Sequence, residues 1–212
     1  MIFKWYYLFK RFKRGGKLSL FLSMTCNLNC SYCSLNAHNG KHPPSYNELS
    51  LDEWKVRLLE LFKVVRIKEV FVTGGEPTLR KDVSAIINFL LEQGKFVQLH
   101  TNLSNPVCVK PNYRFYVYAT LHNTMNFDRA MNTWDHYKDQ KNKLIKQIDR
   151  DHFTVTTHIE PYEIQGEEIG GQTNRLALSP DGHLFYRMKD FYQHLWSIND
   201  TKKRLRCTEA CP

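Results

Sequence analysis

Short apolar runs alternate with helical stripes along this chain, and that alternation constrains the fold more than any other feature. "LSLFLSM" (18–24), "EVFVT" (69–73), "FVQLHTN" (96–102), "FYVYATLH" (115–122) and "HFTVTTHIE" (152–160) read as strands. Ser50 and Glu53 have the spacing of a capping box, and Trp54, Leu58, Leu61 and Val65 then recur at helical intervals. Val83, Ile86, Ile87, Leu90 and Leu91 form a second stripe that stops at Gly94. Phe127, Ala130, Met131, Trp134, Leu144, Ile145 and Ile148 predict a longer, polar-faced helix. "RLALSPDGHLFY" (175–186) predicts a hairpin turning at Asp181-Gly182. Repeated strand–helix units give an α/β fold with a mostly parallel sheet.

The strands are not apolar throughout, as a sheet covered on both faces would require. With a two-residue period, Gln98, His100 and Asn102 share one face of the third strand. Tyr116, Tyr118, Thr120 and His122 share one face of the fourth, and Thr154, Thr156, His158 and Glu160 one face of the fifth. The opposite faces carry Val97, Leu99, Phe115, Val117, Val155 and Ile159. Three such strands predict a curved sheet with helices outside and a polar, ligand-holding interior. A single wet edge of a flat sheet is the plainer alternative.

The 212 residues suit one core with small additions: a basic aromatic leader (1–17), a body (18–162) and a short C-terminal appendage (163–212), with "EIQGEEIGGQTN" as the joint. No window approaches the roughly 18 apolar residues of a membrane span. The N-terminal stretch is not expected to be a secretory signal, because Lys4 and Lys10 interrupt it. The six cysteines are therefore read in a reducing cytoplasm, where clustered thiols point to metal rather than disulfides. The net charge is +9, and Lys4, Lys10, Arg11, Lys13, Arg14 and Lys17 supply six of those charges. They are interleaved with Trp5, Tyr6, Tyr7 and Phe9, a pattern that suits either a solvated strap or a polyanionic partner.

Cys26, Cys30 and Cys33 lie within eight residues, directly after the first strand, with no fourth cysteine nearby. A structural zinc ion usually has four protein ligands. An iron–sulfur cube takes one thiolate per iron, so three cysteines leave one iron open for an exogenous ligand. The Cys-x3-Cys-x2-Cys spacing, with Tyr32 before the last cysteine, resembles the radical S-adenosylmethionine (radical SAM) superfamily. Gly74-Gly75-Glu76-Pro77 after the second strand resembles that family's glycine-rich motif.

The resemblance implies a partial (β/α)6 TIM-like barrel with a C-terminal hairpin appendage. It implies a [4Fe-4S] cluster on Cys26, Cys30 and Cys33, and S-adenosylmethionine chelated at the open iron. One electron then yields a 5′-deoxyadenosyl radical that abstracts hydrogen from a substrate. The implied cofactor contacts are Tyr32, Gly74, Gly75, Glu76, Pro77, Thr101, Asn102, Thr120 and His158. Backbone at the two glycines is expected to approach the methionine moiety, and Glu76 to accept from its ammonium. Leu103 stands where the family's Thr-Asn-Gly pattern has glycine. His100, Tyr116, Tyr118, His122 and Glu160 are the candidate substrate-pocket and catalytic residues.

An electron donor of flavodoxin or ferredoxin type is the implied partner. The C-terminal segment resembles a shortened auxiliary-cluster (SPASM/twitch-like) tail, with Cys108, Cys207 and Cys211 as the thiols for a second cluster. The substrate stays open between a peptide or amino acid and a nucleotide or nucleic-acid base, and the reaction class between oxidoreductase, isomerase and transferase. Two other functions compete: a Cys3His zinc module for nucleic acid, using His38, and a cluster-binding relative without catalysis.

Overall fold

In the computed structural model the described residues are 15–28, 30, 33, 35, 48–110, 112–122, 126–138, 147–148 and 175–185. The predicted strand 152–160, residues 1–14 of the leader, and Leu144 and Ile145 lie outside them. The elements run β1 (Gly16–Ser23), α1 (Leu51–Val64), β2 (Ile67–Gly74), a 3-10 turn (Pro77–Leu79), α2 (Val83–Glu92), β3 (Phe96–Thr101), β4 (Phe115–Leu121), α3 (Phe127–Lys138), β5 (Gln147–Ile148), β6 (Arg175–Leu178) and β7 (Leu184–Phe185).

One seven-stranded sheet has the order β5-β4-β3-β2-β1-β6-β7, and every pairing but β6–β7 is parallel. Parallel neighbours need crossovers, and α1 and α2 supply two of them. The β3–β4 crossover has no helix in its described residues. Its loop is fixed instead by Val107 and Val109, which are buried, and by the Tyr137 hydroxyl, which accepts from the Val107 amide at 2.9 Å.

The helix starts follow local chemistry. Ser50 and Glu53 form the expected capping box of α1, with the Ser50 amide donating to Glu53 at 2.8 Å. Trp54, Leu58 and Leu61 then bury one face of α1, each contributing about 1.5–3 kcal/mol. The stripe of α2 is buried at all five predicted positions, and its C-terminal turn closes at Gly94 (φ 71°).

Two expectations are corrected here. The helix predicted to reach Ile148 ends at Lys138, and Ile148 lies in β5 beside Leu121 of β4. A short apolar spacing fits strand and helix equally, and the register with β4 decides it. The first strand begins at Gly16, so Lys17 belongs to the sheet and pairs with Glu69 at 3.1 Å. The expected hairpin forms, and its first strand continues the main sheet beside β1.

The two-faced pattern is borne out on β3 and β4. Leu18, Leu20, Leu22, Val70, Val72, Val97, Leu99, Phe115 and Val117 form one core with the helices. The other face aligns Ser19, Phe71, Gln98 and Tyr116 in one row of the register, and Phe21, Thr73, His100 and Tyr118 on neighbouring positions.

Candidate active site

The C-terminal ends of β1, β2, β3 and β4 converge, and the polar groups that need partners gather there. Past Ser23 the chain turns into the cysteine loop. The Ser23 hydroxyl accepts from the Thr25 amide at 3.0 Å and donates to Glu48 at 2.6 Å. The Leu28 amide donates to the Cys26 sulfur at 3.4 Å, and the Cys33 amide to the Cys30 carbonyl at 3.1 Å. Cys30 is buried, while Cys26 and Cys33 are partly exposed.

The Gly74-Gly75 turn packs on this loop backbone to backbone. Gly75 N–H donates to Ser23 O at 2.8 Å, and Glu76 N–H to Thr25 O at 2.8 Å. A Cβ at Gly74 would stand 2.2 Å from Ser23 O, and one at Gly75 2.3 Å from Thr25 O. Gly74 also has φ 129°, open only to glycine in practice. The glycines are therefore required by the approach of β2 to the cysteine loop, whatever else they touch.

Glu76 has a structural role beside the expected one. Its carboxylate is buried and accepts from Thr78 N at 3.0 Å, Thr78 Oγ1 at 2.6 Å, Thr101 Oγ1 at 2.7 Å and Asn102 N at 2.7 Å. Three of these donors reach Oε1 and only the Asn102 amide reaches Oε2, so Oε2 keeps acceptor capacity for a further donor such as an ammonium. Burial raises its pKa, and the bonds from Asn102, Thr78 and Thr101 pull against that rise. Glu76 ties the end of β2 to the end of β3, and Pro77 opens the turn that it caps.

Thr101 and Asn102 lie in the same network rather than at its edge. The Asn102 side chain donates to Asn27 Oδ1 at 3.1 Å and accepts from the Ser104 amide at 3.0 Å. Ser104 Oγ also reaches Asn27 Oδ1 at 3.0 Å. Leu103 holds a left-handed turn, at φ 63°, with its side chain buried in the core.

Asn27, Thr78 and Ser104 went unnoticed in the sequence. Asn27 is the one with a visible signal, as a short amide inside a tight ligand loop.

The predicted pocket residues separate along β4. His122, just past its end, has Nδ1 at 3.7 Å from the Cys30 sulfur, and burial pushes its pKa down to about 4, so the ring is neutral. Thr120 is half-buried on the inward face. His100 stacks on Tyr118 with ring centroids 5.0 Å apart and meets Phe71 edge-on at 5.8 Å. These three rings form a buried floor beneath the strand ends. Tyr116 is corrected: it is near the start of β4, and its hydroxyl donates to Glu69 at the start of β2. Burial and that carboxylate raise its pKa far above the ordinary phenol value, so it belongs to the base of the sheet. Tyr32, His158, Glu160, Cys207 and Cys211 lie outside the described residues. Cys108 is exposed on the β3–β4 loop.

The donor set tests which inorganic group fits. Burial raises the Cys26 thiol to about 11, and the charges of Glu76, Cys33 and Cys30 act on it in the same direction. The three sulfurs therefore share one electrostatic environment, and a metal binding there displaces the thiol proton. Among the described residues no three His, Cys, Asp or Glu side chains converge on a single ion. Structural zinc usually takes four protein ligands, whereas three cysteines can hold a cube with one iron open. His38, which the zinc alternative needs, lies outside the described residues.

The family model for the radical SAM superfamily matches residues 20–107, from within β1 to just past β3, and so takes in the three cysteines, the glycine turn and Asn102. Residues 20–107 of this chain thus match the radical SAM superfamily. The GTP 3′,8-cyclase of Mannheimia succiniciproducens is 43% identical over 89 residues, which are 40% of this chain and 25% of that protein. The PqqA peptide cyclase of Rhodopseudomonas palustris is 38% identical over 92 residues, 42% of this chain and 23% of that one. The chain spans about a quarter to a third of the length of the first curated relatives that it matches. The crystal structure of BtrN in complex with AdoMet and 2-DOIA shares the fold, with a TM-score of 0.58 at 15% identity over 88% of this chain and 82% of that one. The radical SAM family implies a [4Fe-4S] cluster and S-adenosylmethionine.

Proposed function

We propose that this chain is a radical SAM enzyme whose Cys26, Cys30 and Cys33 hold a [4Fe-4S] cluster and whose substrate is a nucleotide or nucleobase. The observation that carries the reading is the joint between the cysteine loop and the glycine turn. Two backbone hydrogen bonds at 2.8 Å and two glycine contacts lock the ligand loop onto the end of β2. When bound, the cluster supplies the electron that splits S-adenosylmethionine into methionine and a 5′-deoxyadenosyl radical.

The chain's own groups hold that site still and dry. Glu76, Thr78, Thr101, Asn102, Ser104 and Asn27 join three strand ends in one hydrogen-bonded network. Side chains whose partners are fixed in this way preorganise a ligand loop. His100, Tyr118 and Phe71 close the floor with packed rings and exclude water below the strand ends. Thr120 and His122 continue the inward face of β4 above that floor.

Two features favour a nucleotide. Six basic residues fall in the first 17, interleaved with aromatics, and a GTP cyclase is among the relatives. The peptide reading rests on the peptide cyclase relative and the hairpin-led tail. A thiol-rich site suits the cytoplasm, with a flavodoxin- or ferredoxin-like donor supplying the electron. Auxiliary-cluster chemistry at Cys108, Cys207 and Cys211 is not part of this proposal.

The test is 5′-deoxyadenosine release by anaerobically reconstituted protein given dithionite and S-adenosylmethionine. Release that is lost in Cys30→Ala and stimulated by nucleotides is the expected result. Stimulation by peptides alone would move the substrate to the peptide class. A full cluster with no release under any addition would make the chain a non-catalytic relative.

A further inference from the structure

We infer that His122 is a positioning residue for the cluster, its ring N–H held against the sulfur of Cys30. The inference rests on the reading that Cys30 is a cluster ligand. Residue 122 follows β4 directly, on the inward face that it shares with Tyr118 and Thr120. The position of that face is fixed by the β3–β4 register, in which His100 pairs with Tyr118 and Thr101 with Ala119. From there the ring spans the mouth of the site to a loop 92 residues earlier, and Nδ1 lies 3.7 Å from Cys30 Sγ. Cys30 is 8% exposed, so water competes little for that sulfur.

Which way the proton lies depends on the state of the sulfur. A thiol can donate to a bare Nδ1, whereas an iron-bound thiolate is only an acceptor, so loading selects the tautomer with hydrogen on Nδ1. An N–H···S bond to a cluster ligand stabilises the extra negative charge of the reduced cluster and raises its reduction potential. His122 thus eases delivery of an electron to the site, and it does so without touching substrate. It also ties the cysteine loop of β1 to β4, across the two strands between them.

The experiment is a redox titration of the reconstituted full chain, followed by electron paramagnetic resonance without S-adenosylmethionine, for wild type, His122→Phe and His122→Gln. Phenylalanine keeps the ring volume and removes the donor, and glutamine restores an N–H. The expected result is a more negative midpoint in His122→Phe at unchanged iron and sulfide per chain, with His122→Gln returning toward wild type. Loss of the cluster in His122→Phe alone, with His122→Gln still loaded, also supports the donor role. An unchanged midpoint in a fully loaded His122→Phe overturns it, as does loss of the cluster in both variants, which would make the ring a packing element. Wild type that takes up no cluster would sink the functional reading and this one with it. A loaded, radical-forming wild type with a midpoint indifferent to residue 122 would sink only this one.

Discussion

Replacing Gly75 by alanine tests the joint on which the site is built, because steric and conformational effects there have opposite signs. Gly75 does not have a positive φ, so alanine fits its backbone. In open space the change would stabilise the protein by about 0.4–1 kcal/mol through the unfolded chain. In the folded protein the new Cβ would stand 2.3 Å from Thr25 O and 2.6 Å from Thr25 C, both backbone atoms. Ordinary C···O contact is about 3.3 Å, so the cysteine loop must retreat by about 1 Å.

The Glu76–Thr25 hydrogen bond, now 2.8 Å, cannot survive that retreat. An orphaned N–H costs about 1–3 kcal/mol and the overpacking a similar amount, giving a net loss of about 2–4 kcal/mol. Urea unfolding of the metal-free chain reads this as a midpoint lowered by about 1–2 M. Iron per chain after reconstitution should fall as well, because the displaced segment leads into Cys26. A midpoint equal to wild type or higher would refute the close-approach account of this glycine.

Two further variants test the surroundings. Leu103→Gly should relieve the left-handed strain, about 1–2 kcal/mol, but lose a buried core side chain at about 2–5 kcal/mol, for a net loss of up to about 4 kcal/mol in urea unfolding. A gain in stability would show that the turn, not the packing, dominates there. Arg80 bonds Leu22 O at 3.0 Å, Leu49 O at 3.0 Å and both oxygens of Asp82, and its side chain is 11% exposed. Arg80→Met should cost roughly 2–4 kcal/mol at neutral pH. Its hydrogen bonds hold Asp82 below the usual carboxylate range, so the pair's contribution is present above that range and fades as pH falls through the depressed value. Urea midpoints of wild type and variant should therefore converge in acid, and a penalty independent of pH would rule out the ion pair as its source.

Local chemistry was legible in the sequence wherever a few neighbouring residues decide it. The capping box of Ser50 and Glu53, the α2 stripe and the turn at Asp181-Gly182 all formed where expected. Partners set by distant segments were not legible. Nothing near Tyr116 announces Glu69, 47 residues away, and nothing near Glu76 announces the donors from Thr101 and Asn102. A carboxylate beside two glycines reads as a ligand group, and its second task, tying β2 to β3, shows only when the donors from β3 are seen. The sulfur contact of His122 depends on two strand ends meeting, which periodicity cannot report. Ile148 misled for a different reason: its spacing fits a helix and its partner strand overrules it.

The place of β6 bears on the order in which the protein assembles. β1, whose end carries the cysteine loop, has β2 on one side and β6 on the other, and Lys17 pairs with Arg175. The two halves of that pairing emerge from the ribosome far apart in time. At about 5–20 residues per second, the gap is on the order of ten seconds. Through that interval β1 and β2 can form with their α1 crossover, but one edge of β1 stays unpaired, exposed to other chains. Contacts of such long sequence separation also form slowly, since the intervening chain must first be closed into a loop. The strand that leads into the three cysteines is thus made well before β6 and gains its second neighbour only once β6 has emerged.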